Sequence, residues 1–272
     1  MKRSRFLLLL VVAAMLLAVA VPVAAITHGD LDGDDHPYVV LLVADVGDDG
    51  WRCSATLLSP TVVLTAGHCV SNLPDTTPID AMRVFTESDV DNGDNSYPEA
   101  GNNSVEADDW YVHPGYEVEG PWFMFDVGVV ILEEPGVTGL STYGTLPEVD
   151  SLDVYKTMRG KNRLTFTSVG YGLQRSSPVF VQADRVRMVA YPKLIQMNAR
   201  GYTGYFSLLL SNNHSTGGTC FGDSGGPNFI GDTNVVGGVT SFGMNGNCAG
   251  TGGVFRMDRQ NVLDFVEPFL GS

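Results

Sequence analysis

Short runs of apolar, mostly β-branched residues recur along this chain with turn-forming clusters between them, and no other feature restricts the fold as strongly. The runs cover residues 38–44, 61–65, 82–85, 127–132, 164–169, 186–190, 235–241 and 253–257. Each has the length and composition of a buried strand and is too short for an independent helix. The stretches 45–50, 89–101 and 211–218 are rich in Gly, Asn, Asp and Ser and read as turns. Strands at this spacing point to an all-β sandwich or barrels rather than βαβ units. One amphipathic helix is predicted at the end, from Asp258 as N-cap to Val266, with Val262, Leu263 and Val266 on one face and Pro268 helping to end it. No internal repeat is visible. A division near 136–145 gives two halves, about 26–140 and 141–272.

The N-terminus has the pattern of an export signal. Lys2, Arg3 and Arg5 precede an unbroken apolar run over 6–21, and Pro22 then leads into Val23-Ala24-Ala25. The stretch 6–26 is just long enough to span a bilayer, but Pro22 and the small residues favour removal after Ala25. The chain has 16 Lys+Arg against 31 Asp+Glu, a net charge of −15. Residues 1–25 hold three of the basic groups and no acid, which leaves 13 against 31 and a charge of −18 over 26–272. Such a chain is expected to be secreted, with no stable membrane association after cleavage. It would repel nucleic acid, and its four cysteines would lie in an oxidising compartment where they can pair.

Two segments carry chemistry. Gly222-Asp223-Ser224-Gly225-Gly226-Pro227 places a serine among glycines, where a sharp turn can expose its hydroxyl beside free backbone N–H groups. Its G-x-S-x-G pattern also fits an α/β-hydrolase elbow. That reading needs a histidine after the serine, and the last of the five, His28, His36, His68, His113 and His214, precedes it. Among these His68 stands out, because Thr65-Ala66-Gly67-His68-Cys69 closes an apolar strand beside a cysteine. A buried carboxylate should orient that imidazole. Asp126, inside the apolar run that continues to Leu132, is the acid whose surroundings simple solvation does not explain.

His68, Asp126 and Ser224, in that order, resemble the trypsin/chymotrypsin-type serine proteases. Further motifs carry the likeness. Ile26-Thr27-His28-Gly29 resembles the family's mature start, Gly170-Tyr171-Gly172 its Gly-Trp-Gly, and Ser241-Phe242-Gly243 its Ser-Trp-Gly. The resemblance implies two six-stranded antiparallel β-barrels with a C-terminal helix and an active site in the cleft between them. It implies Ser224 as nucleophile, His68 as general base and then acid, and Asp126 as its orienting partner. The N–H groups of Gly222 and Ser224 would form the oxyanion hole, and Ser241 would hydrogen-bond the carboxylate. The disulfides implied are Cys53–Cys69 and Cys220–Cys248.

The resemblance also pairs a freed Ile26 ammonium with Asp223. Since the expected signal cleavage falls directly before Ile26, signal peptidase itself would generate that terminus. Gly218 stands where trypsin-like members carry Asp at the pocket floor, and Gly243 and Gly253 match the pocket walls. A bulky apolar residue before the scissile bond is therefore expected, rather than Arg or Lys. Partners would be protein or peptide substrates and a protein inhibitor, with no nucleic acid. No cofactor is expected: two acidic stretches, 30–35 and 89–95, resemble fragments of calcium loops but lack the EF-hand glutamate and read as solvated acidic turns, the second being the candidate for a structural calcium. Asn102-Asn103-Ser104 and Asn213-His214-Ser215 are glycosylation sequons. The alternative is a non-catalytic binding or regulatory protein on a protease fold.

Overall fold

A computed structural model of the chain describes residues 25–72, 77–119, 122–177, 179–198 and 206–271. All but Ala25 of the expected signal segment lies outside them. The first half runs through β1 (Asp30–Leu31), β2 (Val39–Val46), β3 (Asp49–Leu57), β4 (Val62–Thr65), β5 (Ala81–Phe85), β6 (Ser104–Val112), β7 (Glu117–Glu119), β8 (Trp122–Met124) and β9 (Gly128–Leu132). Six of these close into a barrel in the order β2-β3-β4-β9-β6-β5. Its first hairpin pairs Val46 with Asp49 across Gly47 and Asp48. Gly47 has φ +59, the left-handed conformation such a two-residue turn needs. The turn expected over 45–50 thus shrinks to two residues, because the ladder carries both strands on through polar positions.

The second half contains β10 (Phe166–Gly170), β11 (Arg175–Ser177), β12 (Phe180–Gln182), β13 (Met188–Ala190), β14 (Leu194–Met197), β15 (Ser207–Asn212), β16 (Pro227–Ile230), β17 (Val236–Gly243) and β18 (Gly250–Arg256). The all-β expectation holds, but this half is a curled sheet of eight strands, β1-β13-β10-β16-β17-β18-β15-β14, rather than a closed six-stranded barrel. Two causes add strands. β1 crosses from the N-terminus to pair Asp30 and Leu31 with Val189 and Met188. β13 and β14 are parts of one segment interrupted at Pro192, the first paired with β10 and the second with β15. Lys193 between them bridges Thr165, so the curl returns on itself.

The two halves exchange their ends. While β1 joins the second sheet, the C-terminal helix, Gln260–Leu270, buries Val262 and Val266 in the same core as the first barrel. The helix starts later and ends later than expected. Asp258 does not cap it, because its fully buried carboxylate accepts the Leu152 N–H at 2.8 Å and binds the Arg256 guanidinium. Pro268 lies inside the last turn, where it removes one backbone donor. Phe265 against His113 and Phe269 against Tyr111 carry the helix past it.

A buried ion pair ties the N-terminal segment to both halves. Arg187 Nε donates to Asp32 at 3.0 Å, and its other nitrogens donate to the carbonyls of Gly33, Val39 and Thr86. Both side chains are almost fully shielded. Such a charge is tolerated only because nearly every donor is met, and removing one partner of a buried pair is strongly destabilising.

Candidate active site

The site forms where the barrel, the β7–β8 hairpin and the loop before β16 meet. His68 sits in a single helical turn, Gly67–Val70, just after β4. Its backbone N–H donates to Asp126 Oδ1 at 2.8 Å, and its ring Nδ1 lies 3.1 and 2.9 Å from the two carboxylate oxygens. The Ser241 hydroxyl donates to Asp126 Oδ2 at 2.5 Å. Asp126 is fully buried, so these bonds replace the water its charge has lost. The Phe123 ring stacks on the imidazole, with centroids 4.6 Å apart and planes at 19°. Sequence reading did not single out Phe123; its place three residues before Asp126 was the available signal.

Ser224 follows a glycine-rich bend. Gly222 has φ +94 and Gly225 φ +77, and a β-carbon on Gly225 would lie 2.0 Å from Thr65 Oγ1. Only glycine fits there. The Asp223, Gly225 and Gly226 N–H groups are taken by backbone carbonyls. Among the described residues, the N–H groups of Gly222 and Ser224 meet no protein acceptor. Two such donors beside a hydroxyl suit a developing oxyanion. No hydrogen bond joins the Ser224 hydroxyl to His68 among the described residues, a contact that in unliganded sites is often long. Both side chains nevertheless line the same two cavities, each of about 320 Å³. A larger cavity of about 590 Å³ begins at Phe221 and Gly222. The two disulfides, Cys53–Cys69 and Cys220–Cys248, are the pairs the resemblance implies.

One 320 Å³ cavity is walled by Thr219, Phe221, Ser241, Phe242 and Gly243, with no acid among its lining residues. Gly218 and Gly253 do not line it, contrary to expectation. The space beside Gly218 is filled by the Asn212 side chain, whose Cγ would lie 2.3 Å from an added β-carbon. Gly253 lies beneath the Phe242 ring, with ring atoms 2.3 Å from where its β-carbon would be. Successive strand residues face opposite ways, so the glycine turned toward Thr219 is Gly252, at 3.0 Å.

Asp223 is fully buried, and its carboxylate accepts the N–H groups of Cys220 and Gly172, both at 2.8 Å. Burial pushes its pKa up to about 7 despite those two bonds. Ile26 is also buried, against Met188 and Ala190, with φ +47. The structure does not pair it with Asp223: in the uncut chain its nitrogen belongs to the Ala25–Ile26 peptide and carries no charge.

In both acidic stretches several carboxylates already have partners within the protein. Asp32 is spent on Arg187 and on His36, whose Nδ1 lies 2.5 Å away. In the second stretch Asp89 accepts from Asn92, and Asp91 accepts the Arg185 N–H. Glu87 accepts the Asp94 N–H. Among the described residues, neither stretch brings three His, Cys, Asp or Glu ligand atoms within 4.8 Å of one another.

The family model described as trypsin matches residues 30–266. A chymotrypsin of Phaedon cochleariae is 28% identical over 231 residues, covering 80% of this chain and 72% of that protein. A trypsin of Saccharopolyspora erythraea is 27% identical over 237 residues, covering 83% and 89%. Among solved structures, HL collagenase superposes with a TM-score of 0.68 at 20% identity, covering 91% of this chain and 99% of that one.

Proposed function

Because this chain belongs to the trypsin family, we propose that it is a secreted serine endopeptidase in which His68, Asp126 and Ser224 act together. The observation that carries this reading is the buried Asp126 carboxylate. It holds His68 by backbone and ring at the edge of the cavity that Ser224 enters. Ser224 Oγ attacks the scissile carbonyl while His68 Nε2 takes its proton. The N–H groups of Gly222 and Ser224 receive the oxyanion. The imidazolium, steadied by Asp126, gives its proton to the departing amine, and water then repeats the sequence to release the acid. Secretion fits the N-terminal signal pattern. Among the described residues no helix is long and apolar enough to cross a membrane.

A fluorophosphonate probe tests the mechanism directly. Ser224 should label rapidly, and Ser224→Ala should abolish labelling without loss of fold. An unlabelled native protein would point instead to a binding protein on this scaffold.

For the residue before the scissile bond, the reading is a bulky apolar side chain in the cavity walled by Phe221, Phe242 and Gly243. A cation there would be desolvated without a partner. Cleavage after Phe or Leu should exceed cleavage after Arg or Lys by at least about tenfold, since one unpaired polar group costs about 1–3 kcal/mol. A peptide library cut preferentially after Arg would refute this.

A further inference from the structure

Beyond residue 25, this acidic chain has its densest cluster of basic residues in one short stretch. Lys156, Arg159, Lys161 and Arg163 fall within eight positions, with no acid among them. The short helical turns Ser151–Tyr155 and Gly160–Asn162 fold the stretch against β14 and enclose a cavity of about 300 Å³. One side of it is cationic, formed by Lys156, Arg159 and Arg163, and the other is apolar, with Met158, Ile195 and Met197 among its walls. Met158 and Ile195 lie at its rim, 38% and 37% exposed.

The cations are only partly compensated. Lys156 pairs with Asp153 at 2.6 Å, and Asp153 is shared with Arg256. Among the described residues, Arg159 donates only to the carbonyls of Lys156 and Met158. Among the described residues Arg163 has no acid partner, and its Nε is shielded from solvent with nothing to donate to. Guanidinium groups without a carboxylate partner are available for charge-assisted hydrogen bonds to an anion.

We propose that this cavity binds an amphiphilic anion, a single carboxylate, sulfate or phosphate head on an apolar body. At roughly 30 Å³ per heavy atom the space holds about ten such atoms. The head lies against Arg159 and Arg163, and the body along Ile195 and Met197. No lining residue is shared with the cavities beside Ser224. The site is therefore separate from the catalytic one and does not depend on the reading given above for it.

Octanoate, titrated calorimetrically into the whole protein at low salt, is the test. It should bind at one saturable site with a Kd of about 1 mM or tighter, while acetate and 1-octanol bind at least about tenfold more weakly. Arg163→Gln and Arg159→Gln should each weaken octanoate about fivefold or more with the thermal midpoint unchanged. Arg159 is on the surface, so its variant serves if Arg163→Gln fails to fold. No saturation by about 10 mM, equal binding of octanol, or unchanged affinity in Arg159→Gln would overturn the proposal.

Discussion

Asp126→Asn should leave a folded protein whose peptide turnover falls about 10⁴-fold. The carboxylate accepts three hydrogen bonds, from the His68 backbone N–H, the His68 ring and the Ser241 hydroxyl. An asparagine has the same shape but only one acceptor oxygen, and its amide can only donate. Whichever way it turns, one of the three donors faces an N–H₂. The side chain relieves this by donating to His68 Nδ1, which forces the ring proton onto Nε2. The imidazole then has no free lone pair toward Ser224 and cannot take its proton. Because the fault is a tautomer and not a cavity, thermal stability should move little while kcat collapses. Steady-state kinetics beside a melting curve separate the two. A fall in kcat smaller than about tenfold would mean that Asp126 is structural and not part of the reaction.

The second large effect concerns the bond before Ile26. Asp223 is buried and, in the uncut chain, lacks a cation; its pKa is pushed up to about 7. The sign of the consequence follows from linkage. Between its ordinary value of 3.8 and about 7 the native state binds more protons than the unfolded one, so stability falls as pH rises through that window. The full shift corresponds to about 4 kcal/mol. Cutting before Ile26 frees an ammonium that can meet this carboxylate and reverse the sign. It also removes the φ +47 constraint on Ile26, a conformation costly for a β-branched residue.

A chain beginning at Ile26 should therefore melt several degrees higher than the full-length chain at pH 8. It should be at least about tenfold more active, since the loop that Asp223 anchors carries both oxyanion donors. The melting difference should shrink toward pH 4 and be much smaller in Asp223→Asn, where only the relief at Ile26 remains. Equal melting and equal activity of the two chains at pH 8 would dispose of the switch.

Much of the site was legible in the sequence for a local reason. A catalytic serine must sit on a bend that only glycine permits, and a charge inside an apolar run must have a partner, so Ser224 and Asp126 advertise themselves. His68 was legible by position after a strand. The pocket was not. Gly253 and Gly252 are adjacent glycines, and which of them faces Thr219 depends on the parity of β18, which also carries a register shift against β17. Asp32 looked like a solvated acid because its partner, Arg187, lies 155 positions away. Strand β15 went unseen because 211–218 reads as a turn, yet its pairing with β18 continues to Asn212.

By itself, then, the sequence determined what each short segment can be: strand, tight turn, exposed nucleophile or buried acid. Those properties depend on residue chemistry within a few positions. The tertiary structure alone decided which distant segments meet. It sent the first strand to the second sheet and the last helix to the first barrel, set the face of each pocket glycine, and laid three basic side chains across one cavity from Ile195 and Met197. Contacts of that range depend on register and closure, where a shift of one residue reverses every side chain, and no local property of the chain encodes them.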